Sequence, residues 1–170
     1  MKKLWFLSVF VIPVVVLTLF TGCPGGDGVT VGKGTGSFTY DSTTYPLTNA
    51  SIDDYQDGWF ELYIASDGID AYEWTGTGNI MYFELYSPTG GIAAGTYDWN
   101  TPGSYYLWWC SMGLNYDTAT DSGTVEHDAV SGSISIAISG GTYTITWSVT
   151  MDDAKTITGS YTGTVSVWYP

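Results

Sequence analysis

Arginine is absent from the 170 residues, histidine occurs once, at His127, and lysine occurs four times against 17 acidic residues, for a net charge of −13. Each scarcity closes a class of function. A chain this acidic, without a guanidinium, repels phosphate backbones and anionic head groups, which excludes nucleic acid as a partner. A Ser-His-Asp arrangement would have to be built on His127 beside Glu126 and Asp128, and no Gly-x-Ser-x-Gly elbow is present. His127 therefore reads as a solvated residue at a strand end. The shortage of His, Arg and Lys points to a non-enzymatic protein. Cysteine is nearly absent too, with Cys23 and Cys110 alone. Cys110, after Trp108 and Trp109, reads as a buried apolar filler. No apolar run with a 3.6-residue period appears beyond residue 23, so no helix is expected there.

What is present begins at the N-terminus. Lys2 and Lys3 precede an almost wholly apolar stretch over residues 4–20, and Thr21-Gly22-Cys23 follows. This is the layout of a secretory signal. The apolar stretch falls short of the roughly 20 residues of a membrane-spanning helix, and Pro13 would kink one. Phe20-Thr21-Gly22-Cys23 resembles the lipobox of bacterial lipoproteins, in which the Cys thiol is diacylated and the chain is cut just before it. Phe20 stands where that family usually carries an aliphatic residue. Two or more acyl chains hold a soluble domain on a bilayer, whereas one gives marginal binding. The resemblance implies a membrane partner through Cys23 and a place in the bacterial cell envelope, at the outer membrane, on its periplasmic or surface face.

Three segments follow: a signal over 1–22, a Gly-rich tether over 23–36, and one domain over 37–170. The 148 residues from Cys23 onward hold Lys33 and Lys155 against all 17 acids, a net −15. Charged residues are 12% of the chain and aromatics 16%, so there is ample apolar surface to bury and the domain is not disordered. Six glycines over residues 24–36 give the tether its flexibility, although Val29 and Val31 allow a first strand to start there.

The domain reads as strands throughout. Phe38, Tyr40 and Tyr45 bracket the turn-rich Asp41-Ser42-Thr43-Thr44, and Pro46 marks an edge or a strand start. Residues 59–65 and 80–86 alternate, with Phe60, Leu62, Ile64, Met81, Phe83 and Leu85 on one set of faces. Residues 70–78 read as a loop, 94–99 as a short strand, 105–109 as an aromatic run, 111–122 as a polar surface segment, and 124–127 as an edge pairing. The last third is a three-stranded meander: Ile134, Ile136 and Ile138; a Gly140-Gly141 turn; Tyr143, Ile145, Trp147, Val149 and Met151; a turn at residues 152–155; then Ile157, Tyr161, Val165 and Val167. Gly159 and Gly163 fall at inward positions, where glycine permits strong bending. The architecture implied is all-β, an antiparallel meander forming an up-and-down, lipocalin-like barrel or a strongly curved β-sandwich. The blocks Gly141-Thr-Tyr-Thr-Ile-Thr-Trp and Asp152-Asp153-Ala-Lys-Thr-Ile-Thr-Gly-Ser-Tyr-Thr-Gly-Thr-Val, with Gly-Ser-Phe-Thr-Tyr-Asp earlier, resemble small β-rich lipoproteins common in Bacteroidetes. That resemblance implies a fold and carries no activity.

Three constellations bear on function. If strands 59–65 and 80–86 are neighbours, Trp59, Tyr63, Tyr82 and Tyr86 share a face with Glu61 and Glu84 between them, a platform on which sugar rings stack and bond. Trp74, Trp99, Trp108 and Trp109 could extend it from loops. Cross-strand aromatic pairs also simply stabilise sheets, and the face could be a second half of the core. Glu61 and Glu84 form a carboxylate pair of the kind glycoside cleavage needs, but at outward positions. Asp53, Asp54 and Asp57, before Gly58, offer hard oxygen ligands for calcium, in a turn where Asp commonly bonds its own backbone. Finally, a roomy closed interior lined by Met81, Phe83, Leu85, Ile145 and Trp147 would suit a carrier of a small apolar ligand, whereas the same residues packed solid form a core. The sequence thus points to a lipid-anchored binding or surface-structural module, with a glycan or an envelope protein as partner and no cofactor required. A Cys23→Ser chain is expected to remain unprocessed or soluble in cell fractionation; a variant that still pellets with membranes after a high-salt wash overturns the anchor.

Overall fold

The computed structural model describes residues 31–170, so the signal-like segment, Cys23 and the start of the Gly-rich segment lie outside the described residues. Alternation of small polar and large apolar side chains produces strands almost end to end: β1 (Gly32–Tyr40), β2 (Thr43–Asp54), β3 (Trp59–Ala65), β4 (Ile69–Asp70), β5 (Thr75–Tyr86), β6 (Gly95–Trp99), β7 (Tyr106–Asp117), β8 (Val125–Ser139), β9 (Thr142–Met151), β10 (Thr156–Gly163) and β11 (Ser166–Trp168). No helix occurs among the described residues. Two tight hairpins have two-residue loops with positive φ at both positions, Asp41-Ser42 between β1 and β2 and Gly140-Gly141 between β8 and β9. That backbone matches the right-handed twist of the flanking strands.

The expected meander is present, and its ends meet. β1, β2, β3, β5, β7, β8, β9 and β10 pair antiparallel in chain order, and β10 pairs back onto β1, giving a ring of hydrogen bonds. Closure leaves no long free edge on those eight strands. Two short strands fill the places where neighbours part. β8 bonds β7 over residues 125–128, shifts register between Ala129 and Ser131, and then bonds β6 instead. β11 runs parallel to β2 at residues 51–53, just past the point where β1 leaves that edge at Ala50. Pro46 sits where β2 is bonded to β1 but not yet to β3, the setting in which a missing N–H costs least.

The inward side chains form one continuous core. Phe60, Leu62 and Ile64 of β3 and Met81, Phe83 and Leu85 of β5 are all essentially inaccessible, together with Ile145 and Trp147 of β9. Cys110 is free and buried among them, and burial pushes its thiol well above the usual value. The Trp147 indole lies against Gly159, directly across the β9–β10 pair, and meets Phe83 with ring centroids 5.5 Å apart. On the other side of β10 the Tyr161 ring fills the space that a side chain at position 34 would occupy, and its hydroxyl donates to the Thr164 carbonyl at 2.8 Å.

Three expectations about segment limits are corrected. The tether over 23–36 is too long at its far end, because β1 begins at Gly32; Gly34 belongs to the sheet, where the Tyr161 ring needs its bareness. Residues 111–122 do not all wind over the surface, since β7 continues to Asp117 with Met112 and Leu114 turned inward. Nor is 70–78 a loop: Ile69 and Asp70 pair with Gly76 and Thr75, and β5 starts at Thr75. Introducing a methyl at Gly159 drives it into the Trp147 ring and the Ser37 carbonyl. Gly159→Ala is therefore expected to lower stability by roughly 1–3 kcal/mol, read as a shifted midpoint in urea titration.

Candidate functional site

β3 and β5 lie side by side with Trp59 opposite Tyr86, Glu61 opposite Glu84 and Tyr63 opposite Tyr82. With the other face of both strands committed to the core, these six side chains share the outward face, and all are half-buried. The four aromatics divide into two groups. Trp59 and Tyr86, 5.3 Å apart, join Tyr106 and Trp108 in a knot of edge-on and tilted rings. Tyr63 and Tyr82, 5.1 Å apart, belong instead with Trp74, which meets Tyr63 edge-on at 5.0 Å, and beyond it Tyr116 at 6.0 Å.

Trp74 is brought there by a segment folded back over the outside of the sheet. The carboxamide of Asn49, buried in β2, donates to the carbonyls of Ala65, Ser66 and Ile69 and accepts from the Ala71 amide. The Ser51 hydroxyl donates to the Ala71 carbonyl at 2.7 Å. Held by these bonds, Ile69 and Ala71 bury against Ala65 and Ile80 in a small second core, on which Tyr63, Trp74 and Tyr116 pack. The outward face is thus a second core near β2 and an open surface towards β7.

Where that cover ends, a cleft of about 410 Å³ opens across β5, β7 and β8. Its aromatic walls are Tyr63, Trp74, Tyr82, Trp109 and Tyr116. Ser111 lies on its floor, beside Tyr82 in one register and Asp128 in the other. Asp121, Glu126 and Asp128 complete the lining. The Tyr116 hydroxyl donates to Asp121, and the Gly123 amide to Glu126; the Asp128 carboxylate accepts no hydrogen bond among the described residues. Of the four aromatics expected to form a platform, Tyr63 and Tyr82 line this cleft and Trp59 and Tyr86 do not, because the rings of Tyr106 and Trp108 enclose them. Trp74 and Trp109 extend it as expected, Trp109 from a strand rather than a loop. The acids of the cleft escape sequence reading because β7 and β8 are brought together only by the fold.

Glu61 and Glu84 face each other across β3 and β5, and each accepts a tyrosine hydroxyl, Tyr63 to Glu61 and Tyr82 to Glu84 at 2.7 Å. Burial first, and then these carboxylates, hold both phenols well above the usual tyrosine range. They are therefore fixed donors near the cleft wall. The calcium candidates are not gathered. Asp54 is buried and accepts from the Gln56 amide, Asp57 accepts from the Trp59 amide, and Asp53 alternates to the opposite face of β2 from Asp54. Two of the three serve the backbone turn.

His127 finds partners the sequence does not suggest. It faces inward beside Met112 at one mouth of the ring, with Nδ1 2.7 Å from Asp152 and Nε2 3.5 Å from Asp153. The Tyr40 hydroxyl donates to Asp153 at 2.8 Å, and the Lys155 ammonium reaches Asp153 at 3.4 Å and Asp41 at 3.2 Å over the Tyr40 ring. His127, Asp152 and Asp153 are close enough to hold a metal ion, yet the ammonium already supplies positive charge to that group. The arrangement closes the mouth with paired polar groups.

Compared with protein-family models, curated proteins and solved structures, the chain matches none of them. The geometry alone therefore carries the functional reading.

The two ends of the charge distribution titrate in opposite senses. Burial would raise the Asp153 carboxyl, but the Lys155 amide, the Tyr40 hydroxyl and the Lys155 ammonium outweigh it and hold it below the usual 3.8. Its stabilisation is present above that value and is lost as pH falls through the lowered one. Burial, then Asp152 and Glu126, hold Asp128 above 3.8, so its charge opposes folding at neutral pH until it protonates. In thermal melts followed by circular dichroism, Asp153→Asn is expected to melt lower than the wild type at neutral pH and Asp128→Asn higher. Both differences should shrink on acidification, that of Asp128 first.

Proposed function

We propose that this chain is a lipid-anchored, non-enzymatic binding module of the bacterial cell envelope, and that it contacts carbohydrate through the outward cleft between β5, β7 and β8. One observation carries the reading: a concave surface walled by Tyr82, Trp109 and Trp74, with a serine and three carboxylates converging on it. Aromatic faces stack on the C–H faces of pyranose rings, and carboxylates accept from their hydroxyls. A mostly aromatic wall with a few placed polar groups is the usual composition of a small-ligand site. The inside of the ring supports a carrier role less well, since neither this cleft nor a smaller one of about 240 Å³ at Asp53, Tyr72 and Trp168 is lined by Phe83, Leu85, Ile145 or Trp147. The anchor at Cys23 would hold the module at the membrane, where envelope glycans are at hand.

A glycan array probed with the full-length chain in neutral detergent, beside a Tyr82→Ala/Trp109→Ala variant, tests this. Binding by the wild type that falls roughly tenfold or more in a variant with unchanged near-ultraviolet dichroism supports the reading. Absence of binding by the wild type, or equal binding by both, overturns it.

A further inference from the structure

The cleft is one-sided in charge. Asp121, Glu126 and Asp128 lie in it, and neither of the two lysines among the described residues lines it. Lys155 is spent at the ring mouth on Asp41, Asp153 and the Tyr40 hydroxyl, and Lys33 lies on β1, opposite Asn49. Asp121 and Glu126 each accept one hydrogen bond from a neutral donor, which orients the carboxylate and leaves its charge uncompensated. Asp128 has not even that. It projects from β8 beside Ser111, which is itself beside Tyr82, so the least satisfied carboxylate adjoins the aromatic wall.

Resting on the carbohydrate reading above, we infer that the sugar this cleft takes is a cationic one: an amino sugar with a free protonated amine, seated with its ammonium against Asp128 and Glu126 and its ring against Trp109 and Tyr82. A neutral sugar hydroxyl can donate to Asp128 but cannot offset the charge of half-buried Asp128 with exposed Asp121 and Glu126 beside it. An ammonium does both, because it carries three donors and a full positive charge. The aromatic walls favour the same choice, since ring faces attract cations as well as C–H groups. Burial first, and then Asp152 and Glu126, hold the Asp128 carboxyl up, against a smaller lowering by His127. N-acetylation of the amine removes the charge and keeps the ring, so it separates the two contributions.

The test uses the full-length chain in neutral detergent and two β-1,4-linked trimers, one of glucosamine and one of N-acetylglucosamine, titrated calorimetrically at a mildly acidic pH where the free amines are protonated. The glucosamine trimer is expected to bind at least tenfold more tightly, with a preference that declines as salt is added. Asp128→Asn is expected to shrink the glucosamine-to-N-acetylglucosamine preference about tenfold. Trp109→Ala should weaken binding of the glucosamine trimer. Equal or tighter binding of the N-acetylated trimer overturns the cationic ligand and leaves the carbohydrate reading standing. A full preference retained in both Asp128→Asn and Glu126→Gln also overturns it. Failure of both trimers to bind, while the array finds another glycan that requires Tyr82 and Trp109, overturns the amino sugar alone; failure on the array as well removes both.

Discussion

Closure of the sheet at β1 is the constraint on which the other features depend. β1 bonds β2 along one edge and β10 along the other, so eight strands share a single interior, and each inward residue must fit partners across the ring as well as beside it. Large side chains then need bare positions opposite them. Trp147 finds one at Gly159, and the Tyr161 ring finds another diagonally, at Gly34, two positions from its register partner Gly36. The cost of a tight interior is visible at the Trp147 indole nitrogen, which is buried without a hydrogen-bond partner among the described residues. Such a donor costs on the order of 1–3 kcal/mol, offset here by the contacts of a large aromatic ring with Phe83 and the β10 backbone.

With the inward side chains buried in one core, the cleft forms on the outside of the sheet. A bare antiparallel strand pair offers a nearly flat surface. Here the 66–74 segment, fixed over β2 by three hydrogen bonds of Asn49 and one of Ser51, stands a wall against that surface, and half-buried Trp74 is its end. The second wall comes from β7, where a register shift against β5 leaves Trp108 as an extra residue between Leu107, opposite Leu85, and Trp109, opposite Glu84. Such irregularities re-aim side chains, and both tryptophans are well exposed. Covering segment and bulge together make a concavity from a sheet face.

Charge is distributed with the same asymmetry. The ring mouth places its carboxylates around an ammonium and a histidine, so Asp153 is stabilised as an anion. Among the described residues the cleft holds carboxylates without a lysine, and burial first, then Asp152 and Glu126, destabilise Asp128 as an anion. A protein gains stability from the first arrangement and forgoes some in the second. A carboxylate left uncompensated in a cleft marks a candidate functional site.

The order of strands and the core faces were readable because period-2 alternation survives in the chain itself. Phe60, Leu62 and Ile64, Met81, Phe83 and Leu85, and Ile145, Trp147 and Val149 declare their side before any folding, and Gly140-Gly141 declares a tight hairpin. The aromatic face of β3 and β5 was readable for the same reason, once the two strands were taken as neighbours. Strand β7 beyond Ser111 was not, because Ser111 and Asn115 outweigh Met112 and Leu114 in a local reading. The closing pair β1–β10 joins residues more than a hundred positions apart, and no local pattern specifies it. The same holds for the site: Tyr82, Ser111 and Asp128 sit side by side on three different strands, and His127 meets Asp152 and Asp153 rather than its sequence neighbours. Local alternation fixes which way a side chain points; only the register of distant strands decides which side chains stand together.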